Sequence, residues 1–364
     1  MKRTNLYYIL LLLIVISPTM VWAQEKSSIS NYSSSSSSSS SLNNTNVDFA
    51  TNIEFIKGHL SAAISNKQAG NNELTQTHTF HPITEIYTLI RNQLSSADPE
   101  LNKTLINSLN NLTSIVFKST PTEFVNSADS VKNLLDKAII IVIPKNEVTD
   151  IKFNMSTLIN LLKTAESEYE VGVANGTITN IAEYQDAQGF ISAANALLNK
   201  TLSSLNQTSN NKFTEIKDSF QELKASINNK DDPRQISTII NNITNTIPTI
   251  LNVQTRDLAI LVSTDTESSE LINNVRTLLN QTIENVKNGN YQNAESLVIE
   301  AYLNNFEFLE GEIAKYDESL MKDTEGLLRE QLRNLIQGKA DIQDIQKMID
   351  KININLNEME KILK

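Results

Sequence analysis

The 364-residue chain has no cysteine, which removes disulfide staples, thiolate ligands, thiol nucleophiles and a lipid-modified cysteine anchor together. Stability therefore rests on a packed core. Glycine and proline are scarce, at nine and seven residues, while Leu, Ile, Asn, Lys and Glu abound, the composition of helical bundles. Basic residues are outnumbered: 31 Lys and Arg against 42 Asp and Glu leave a net charge of -11. That balance argues against nucleic acid, whose binding depends on neutralising phosphates with Lys and Arg. Cations are the more natural clients. The chain lacks a His-Glu-x-x-His helix, a Gly-rich phosphate loop and a Gly-x-Ser-x-Gly elbow. It also lacks the Glu-x-x-His pair of carboxylate-bridged di-iron bundles. With histidine confined to positions 59 to 81, nucleophilic triads are excluded, and the chain reads as a binding protein, not an enzyme.

Long apolar runs are also missing outside the N-terminus. Lys2 and Arg3 precede an apolar run from Leu6 to Ile16 and a small-residue end at Ala23, the pattern of a secretory signal over residues 1–23. An uncleaved anchor would use the same residues. The longest later run, Ala138 to Pro144, is far too short to cross a bilayer, so the mature chain is expected to have no membrane span and to lie outside the cytoplasm. Residues 24–48 include a polar, Ser-rich tract with too little apolar surface to offset its ordering entropy, and read as a linker.

Beyond it the fold class expected is all-α. Ile53, Ile56, Leu60 and Ile64 form one helical stripe, and Ile83, Ile86, Tyr87, Ile90 and Leu94 another. Three consecutive antiparallel bundle units are expected: an arm over 49–145, a middle unit over 146–255 and a second arm over 256–364. The arms are related by an internal repeat. Gly70-Asn71 aligns with Gly289-Asn290, a shift of 219 (289 minus 70); the same shift pairs Asp98 with Asp317 and Leu101 with Leu320. In each arm Gly-Asn ends one helix, and the aspartate supplies the N-cap of a later one. The stretch from about Leu205 to Ile250, with Pro233 and Pro248 as breaks, carries the least pattern.

The chemistry concentrates in the first arm. A reversal at Gly70-Asn71 places His59 opposite His81, since each is about equally far from the turn. His78, His81 and Glu85 project from neighbouring turns of one face. Three imidazoles and a carboxylate suit iron, copper or zinc. Because histidine ligates only when neutral, binding is expected to weaken below about pH 6. The equivalent positions in the second arm are Leu278, Leu297, Glu300 and Asn304, so the bland alternative is a set of satisfied core histidines. In the middle unit Glu168 and Glu183 are equidistant from the Asn175-Gly176 turn and face each other, with Asp186 nearby. On faces otherwise lined by Leu161, Ala165 and Phe190 they call for a cation, a lysine or partial exposure. Glu300, Glu307 and Glu310 read as a solvated acidic stripe.

The segments from Gly58 to Leu101, Glu168 to Ala194 and Glu300 to Leu332, and above all the histidine cluster and Glu183-Tyr184-Gln185-Asp186, resemble the extracytoplasmic helical region of prokaryotic high-affinity iron permeases. The resemblance implies iron capture, or presentation to a separate membrane permease. The permease's Arg-Glu-x-x-Glu motif is missing, since Arg329-Glu330 is followed at 333 by Arg. The leading expectation is an extracytoplasmic metal-binding protein, iron first with copper or zinc as alternatives, using His59, His78, His81, Glu85, Glu168, Glu183 and Asp186. A metal-free helical surface protein comes second and a ferrous-iron oxidase last.

Overall fold

Helical spacing of apolar residues, with a stop signal at each chain reversal, builds a molecule that is helical almost throughout. The computed structural model describes residues 44–205, 211–261 and 266–363. The expected signal lies outside the described residues, as does the expected linker up to residue 43. The linker's last five residues, 44–48, are helical.

The elements in order are α1 (Asn44–Gln68), α2 (Asn72–His81), a π-turn (Pro82–Ile86), α3 (Tyr87–Ala97), α4 (Pro99–Ser114), α5 (Pro121–Val142), α6 (Lys145–Val148) and α7 (Ile151–Gly172). A two-residue β-hairpin, Val173–Ala174 with Thr177–Ile178, leads to α8 (Ile181–Ser203), α9 (Thr214–Asn229) and α10 (Pro233–Leu251). After a short 3-10 turn come α11 (Ser268–Lys287), α12 (Tyr291–Ala301), a second π-turn (Tyr302–Phe306) and α13 (Glu307–Gly326). A third π-turn (Leu327–Leu332), α14 (Arg333–Gln337) and α15 (Ile342–Ile362) complete the described chain. The least patterned stretch thus holds two ordinary amphipathic helices. Pro233 opens α10 behind Asp232, whose carboxylate caps it, and Pro248 lies inside that helix without ending it.

Local chemistry sets the boundaries. Thr120 and Glu123 form a reciprocal capping box at α5, with Pro121 in the first turn. Asp98 accepts a hydrogen bond from the Leu101 amide at 2.9 Å, and Asp317 one from Leu320 at 2.9 Å. Asp98 is extended at φ -152° and Asp317 at φ -149°, so Asp317 breaks α13 within its length. Gly70 and Gly289 adopt φ +81° and +75°, values that a side chain disfavours.

Buried apolar residues gather into two cores where three units are expected. One runs from Val47 to Ala259 and joins the first arm to the middle helices; the other spans Leu271 to Met359. The reason is that α1 is buried all round: Val47, Phe49, Ile53, Phe55, Ile56 and Leu60 point to different neighbours. Helix α1 packs against α2 and α5 on one side and α7 and α8 on the other, so the first arm has no core of its own.

Candidate metal centre

The site begins with a close helix crossing. A Cβ on Gly189 would stand 2.5 Å from the Gly58 carbonyl oxygen, so α1 and α8 touch glycine to glycine. That contact carries the neighbours of both glycines together. His59 stacks edge-on against Phe190 at 5.1 Å, and its Nδ1 lies 2.6 Å from Asp186 Oδ1. The approach is close but out of hydrogen-bonding line, for His59 Nδ1 has no hydrogen-bond partner. Helix α2, turned back by Gly70-Asn71, brings His78 Nδ1 to 2.9 Å from the same oxygen and His81 Nδ1 to 3.5 Å from Oδ2. The His59 and His81 rings are 5.2 Å apart. One ligand atom from each of His59, His78, His81 and Asp186 falls within 4.8 Å of all the others. His78 and Asp186 are fully buried.

Gln185 fixes the tautomer of His78. Its Oε1 stands 2.8 Å from His78 Nε2 and accepts a second hydrogen bond from Asn66. A carbonyl oxygen only accepts, so Nε2 carries the proton and Nδ1 is the nitrogen left for a ligand.

The carboxylate that joins the three histidines is Asp186, where Glu85 is expected. Glu85 is taken by Arg329, whose guanidinium donates to Glu85 Oε1 at 2.6 and 3.2 Å. Arg329 also pairs with Glu325 at 2.6 Å, lies 4.0 Å from Glu183, and covers the Tyr302 ring at 5.2 Å. Glu85, Tyr302 and Arg329 each sit on one of the three π-turns, and all three line one small cavity. Widened turns re-aim side chains, and here they converge on one point.

That cavity, of about 20 Å3, joins the two sets of candidates, since His59, His81, Glu168, Glu183 and Asp186 all face it. It has room for about one water-sized occupant. Glu168 neighbours both Glu183 and Glu307, and the three carboxyls act on one another. The expected solvated stripe is corrected: Glu307 is 4% exposed and Glu310 5%, because α13 packs on α7. Spacing along one helix could not show that a second helix covers it.

Burial and pairing set the charges. Burial would lift Glu85, but Arg329 and then His81 hold it at about 2. Burial would likewise lift Asp186, yet His59 and His78 keep it well below the ordinary carboxylate range. His81 is opposed by burial and raised by Glu85 and Asp186 to about 9, and His78 moves up for similar reasons. Glu307 is raised by burial, and further by Glu183, to about 8; burial and Glu183 raise Glu168 strongly. For His78 and His81, neutral imidazole is therefore reached at higher pH than an ordinary histidine would give.

A wider cleft of about 580 Å3 opens beside this cavity and shares His81, Glu85 and Arg329 with it. Arg333 lies along the same cleft. Its guanidinium donates to the Thr84 carbonyl on the first π-turn and lies 3.4 Å from Glu295. Both arginines of the incomplete Arg-Glu-x-x-Glu pattern thus bind the second arm to the first.

Residues 144–254 match the family model described as the iron permease-associated 4-helix bundle domain. The four long helices of that span are α7, α8, α9 and α10. The resemblance to the helical region associated with iron permeases is thereby shown over these residues. It carries Glu168 to Ala194; the Gly58–Leu101 and Glu300–Leu332 segments lie outside the match. No curated protein and no solved structure matched the chain. Among the described residues, no helix is long and apolar enough to cross a membrane.

Proposed function

We propose that this protein binds a transition metal, iron first, outside the cytoplasm, and hands it to a separate membrane permease without chemical conversion. The observation that carries the reading is the convergence of His59, His78, His81 and Asp186 within 4.8 Å. Nitrogen and oxygen donors in that number suit ferrous iron, with copper and zinc as competitors. The adjoining iron permease-associated bundle supports iron and the permease partner. The cleft at His81, Glu85 and Arg329 supplies a route to the site. In the same reading the outer arms derive from one repeated unit, of which only the first carries a metal set.

A second reading has its own support: in the metal-free chain the buried Asp186 is compensated by His59 and His78, so the cluster serves as a structural network. Titration of the purified protein with ferrous, ferric, cupric and zinc ions, beside the His59→Ala/His81→Ala variant, separates the two. Tight binding lost in the variant supports the metal reading. No binding by either form, with the variant less stable, supports the structural one. Dioxygen uptake on adding ferrous iron would replace carriage by oxidation.

A further inference from the structure

Three residues that line the 20 Å3 cavity each carry a buried oxygen with no hydrogen-bond partner: Thr164 Oγ1, Asp186 Oδ2 and Glu307 Oε1. Thr164 is 4% exposed, Glu307 4% and Asp186 0%. Orphaned acceptors are uncommon in folded proteins and mark a missing partner. They come from three elements, α7, α8 and α13, so no single strained segment accounts for them. Glu168 and Glu183 line the same space, so Thr164, Glu168, Glu183, Asp186 and Glu307 give it a set of oxygen donors beside the histidines. Arg329 is the one lysine or arginine among the cavity's lining residues; it pairs with Glu85 and Glu325 and reaches Glu183 only at 4.0 Å. The carboxyls gathered there are short of hydrogen-bond donors from the protein.

We infer that the cavity holds a second cation, bound by Glu168, Glu183 and Glu307 with Thr164 beside them, and bridged through Asp186 to the ion of the histidine set. All-oxygen donors select a harder ion than imidazoles do, such as manganous, ferric or ferrous ions over cupric. Asp186 is placed for bridging, because Oδ1 is turned to His59 and His78 while Oδ2, without a hydrogen bond, stands 3.5 Å from His81 Nδ1. The second arm thereby becomes part of the centre, since Glu307 belongs to α13. This inference rests on the histidine site for its bridge, but the oxygen position can be tested separately.

The test is anaerobic titration of the full mature chain with ferrous ion, and separately with manganous ion, by calorimetry and electron paramagnetic resonance. Two equivalents are expected in the wild type, with magnetic coupling between two manganous ions. Glu168→Gln/Glu307→Gln preserves shape and hydrogen bonding and is expected to bind one. His78→Ala/His81→Ala is expected to keep the other. Thr164→Val, nearly isosteric, should weaken only the second equivalent, by about tenfold, with an unchanged circular dichroism spectrum. A single equivalent in the wild type, lost with the histidines but kept by the glutamine variant, would leave water in the cavity and overturn the inference while sparing the metal site proposed above. One equivalent that survives loss of the histidines and disappears with the glutamates would support the oxygen site and reject the histidine one.

Discussion

The first and last arms make the same backbone moves and do opposite things with them. Gly70 and Gly289 turn the chain at similar positive φ, π-turns follow at Pro82–Ile86 and Tyr302–Phe306, and Asp98 and Asp317 are extended caps. Yet positions 59 and 78 hold histidine in the first arm, where the last has Leu278 and Leu297. The last arm instead sends Arg329, Tyr302 and Glu307 into the cavity of the first. Backbone geometry places groups without deciding their chemistry; one scaffold here supplies the histidines and its counterpart charged groups around them.

The most disruptive way to break this pairing is Arg329→Met. It strands Glu85 without its cation in a buried position, and removing one partner of such a pair costs about 3–5 kcal/mol. Glu85 has a depressed pKa of about 2, so its contribution is fully present above pH 4.5 and fades as pH falls toward 2. Urea unfolding should show a large deficit at pH 7 that narrows in acid, and adding Glu85→Gln should recover much of it. Equal stability of Arg329→Met and wild type at pH 7 would mean that the arms are not held by this pair.

A comparison of glycines comes next. Gly189→Ala puts a methyl 2.5 Å from the Gly58 carbonyl, which must force α1 and α8 apart at a cost of about 3 kcal/mol. It should also lower metal affinity, because His59 and Asp186 ride on that contact. Gly289→Ala meets no atom within 4 Å and pays only for its positive φ, about 1 kcal/mol, with metal binding unchanged. Thermal melting with and without ferrous ion distinguishes the two.

These contrasts show what could be read from residue order and what could not. Equal distance from Gly70-Asn71 sufficed to bring His59 to His81, and equal distance from Asn175-Gly176 sufficed for Glu168 and Glu183, because a tight turn fixes the register of the two helices it joins. The fourth donor was beyond that logic. Asp186 reaches the histidines only through the register of α8 on α1, which Gly58 and Gly189 set across more than a hundred positions. The signal was present, in a glycine directly before His59 and another three residues after Asp186, but nothing local ties them together. The pairing of Glu85 was hidden for a related reason. Its partner Arg329 lies in the other arm, and the same inter-arm packing buries Glu307 and Glu310. Helix α1 has apolar residues facing all round, so one core joins the first arm to the middle helices.

The histidine and leucine positions give a sharper test of what each arm is for. His78→Ala removes one of four donors and its Gln185 anchor, and should weaken metal binding by at least about 100-fold. Leu297→Ala, at the corresponding place, should leave affinity intact and cost about 1–2 kcal/mol of packing, below the range of a fully buried leucine. Isothermal titration with ferrous ion, paired with melting curves, would show whether the two substitutions separate in this way; a shared loss of affinity would make the last arm a partner in the histidine site itself.

The smallest expected effect concerns a contact between charges of the same sign. Asp48 on α1 is raised to about 6, first by burial and then by Glu300, the residue that stands in the last arm where His81 stands in the first. A carboxyl whose pKa is raised gives its full contribution below its ordinary value of 3.8 and loses it as pH rises through about 6. Asp48→Asn should therefore match the wild type near pH 4 and exceed it at pH 7.5. Because Asp48 is partly exposed, the gain is discounted to about 1 kcal/mol. Combining it with Glu300→Gln tests the cause. If burial dominates, most of the gain survives in the Glu300→Gln background; if the two carboxylates chiefly repel one another, it vanishes there, and the arms press on each other through charge more than through packing.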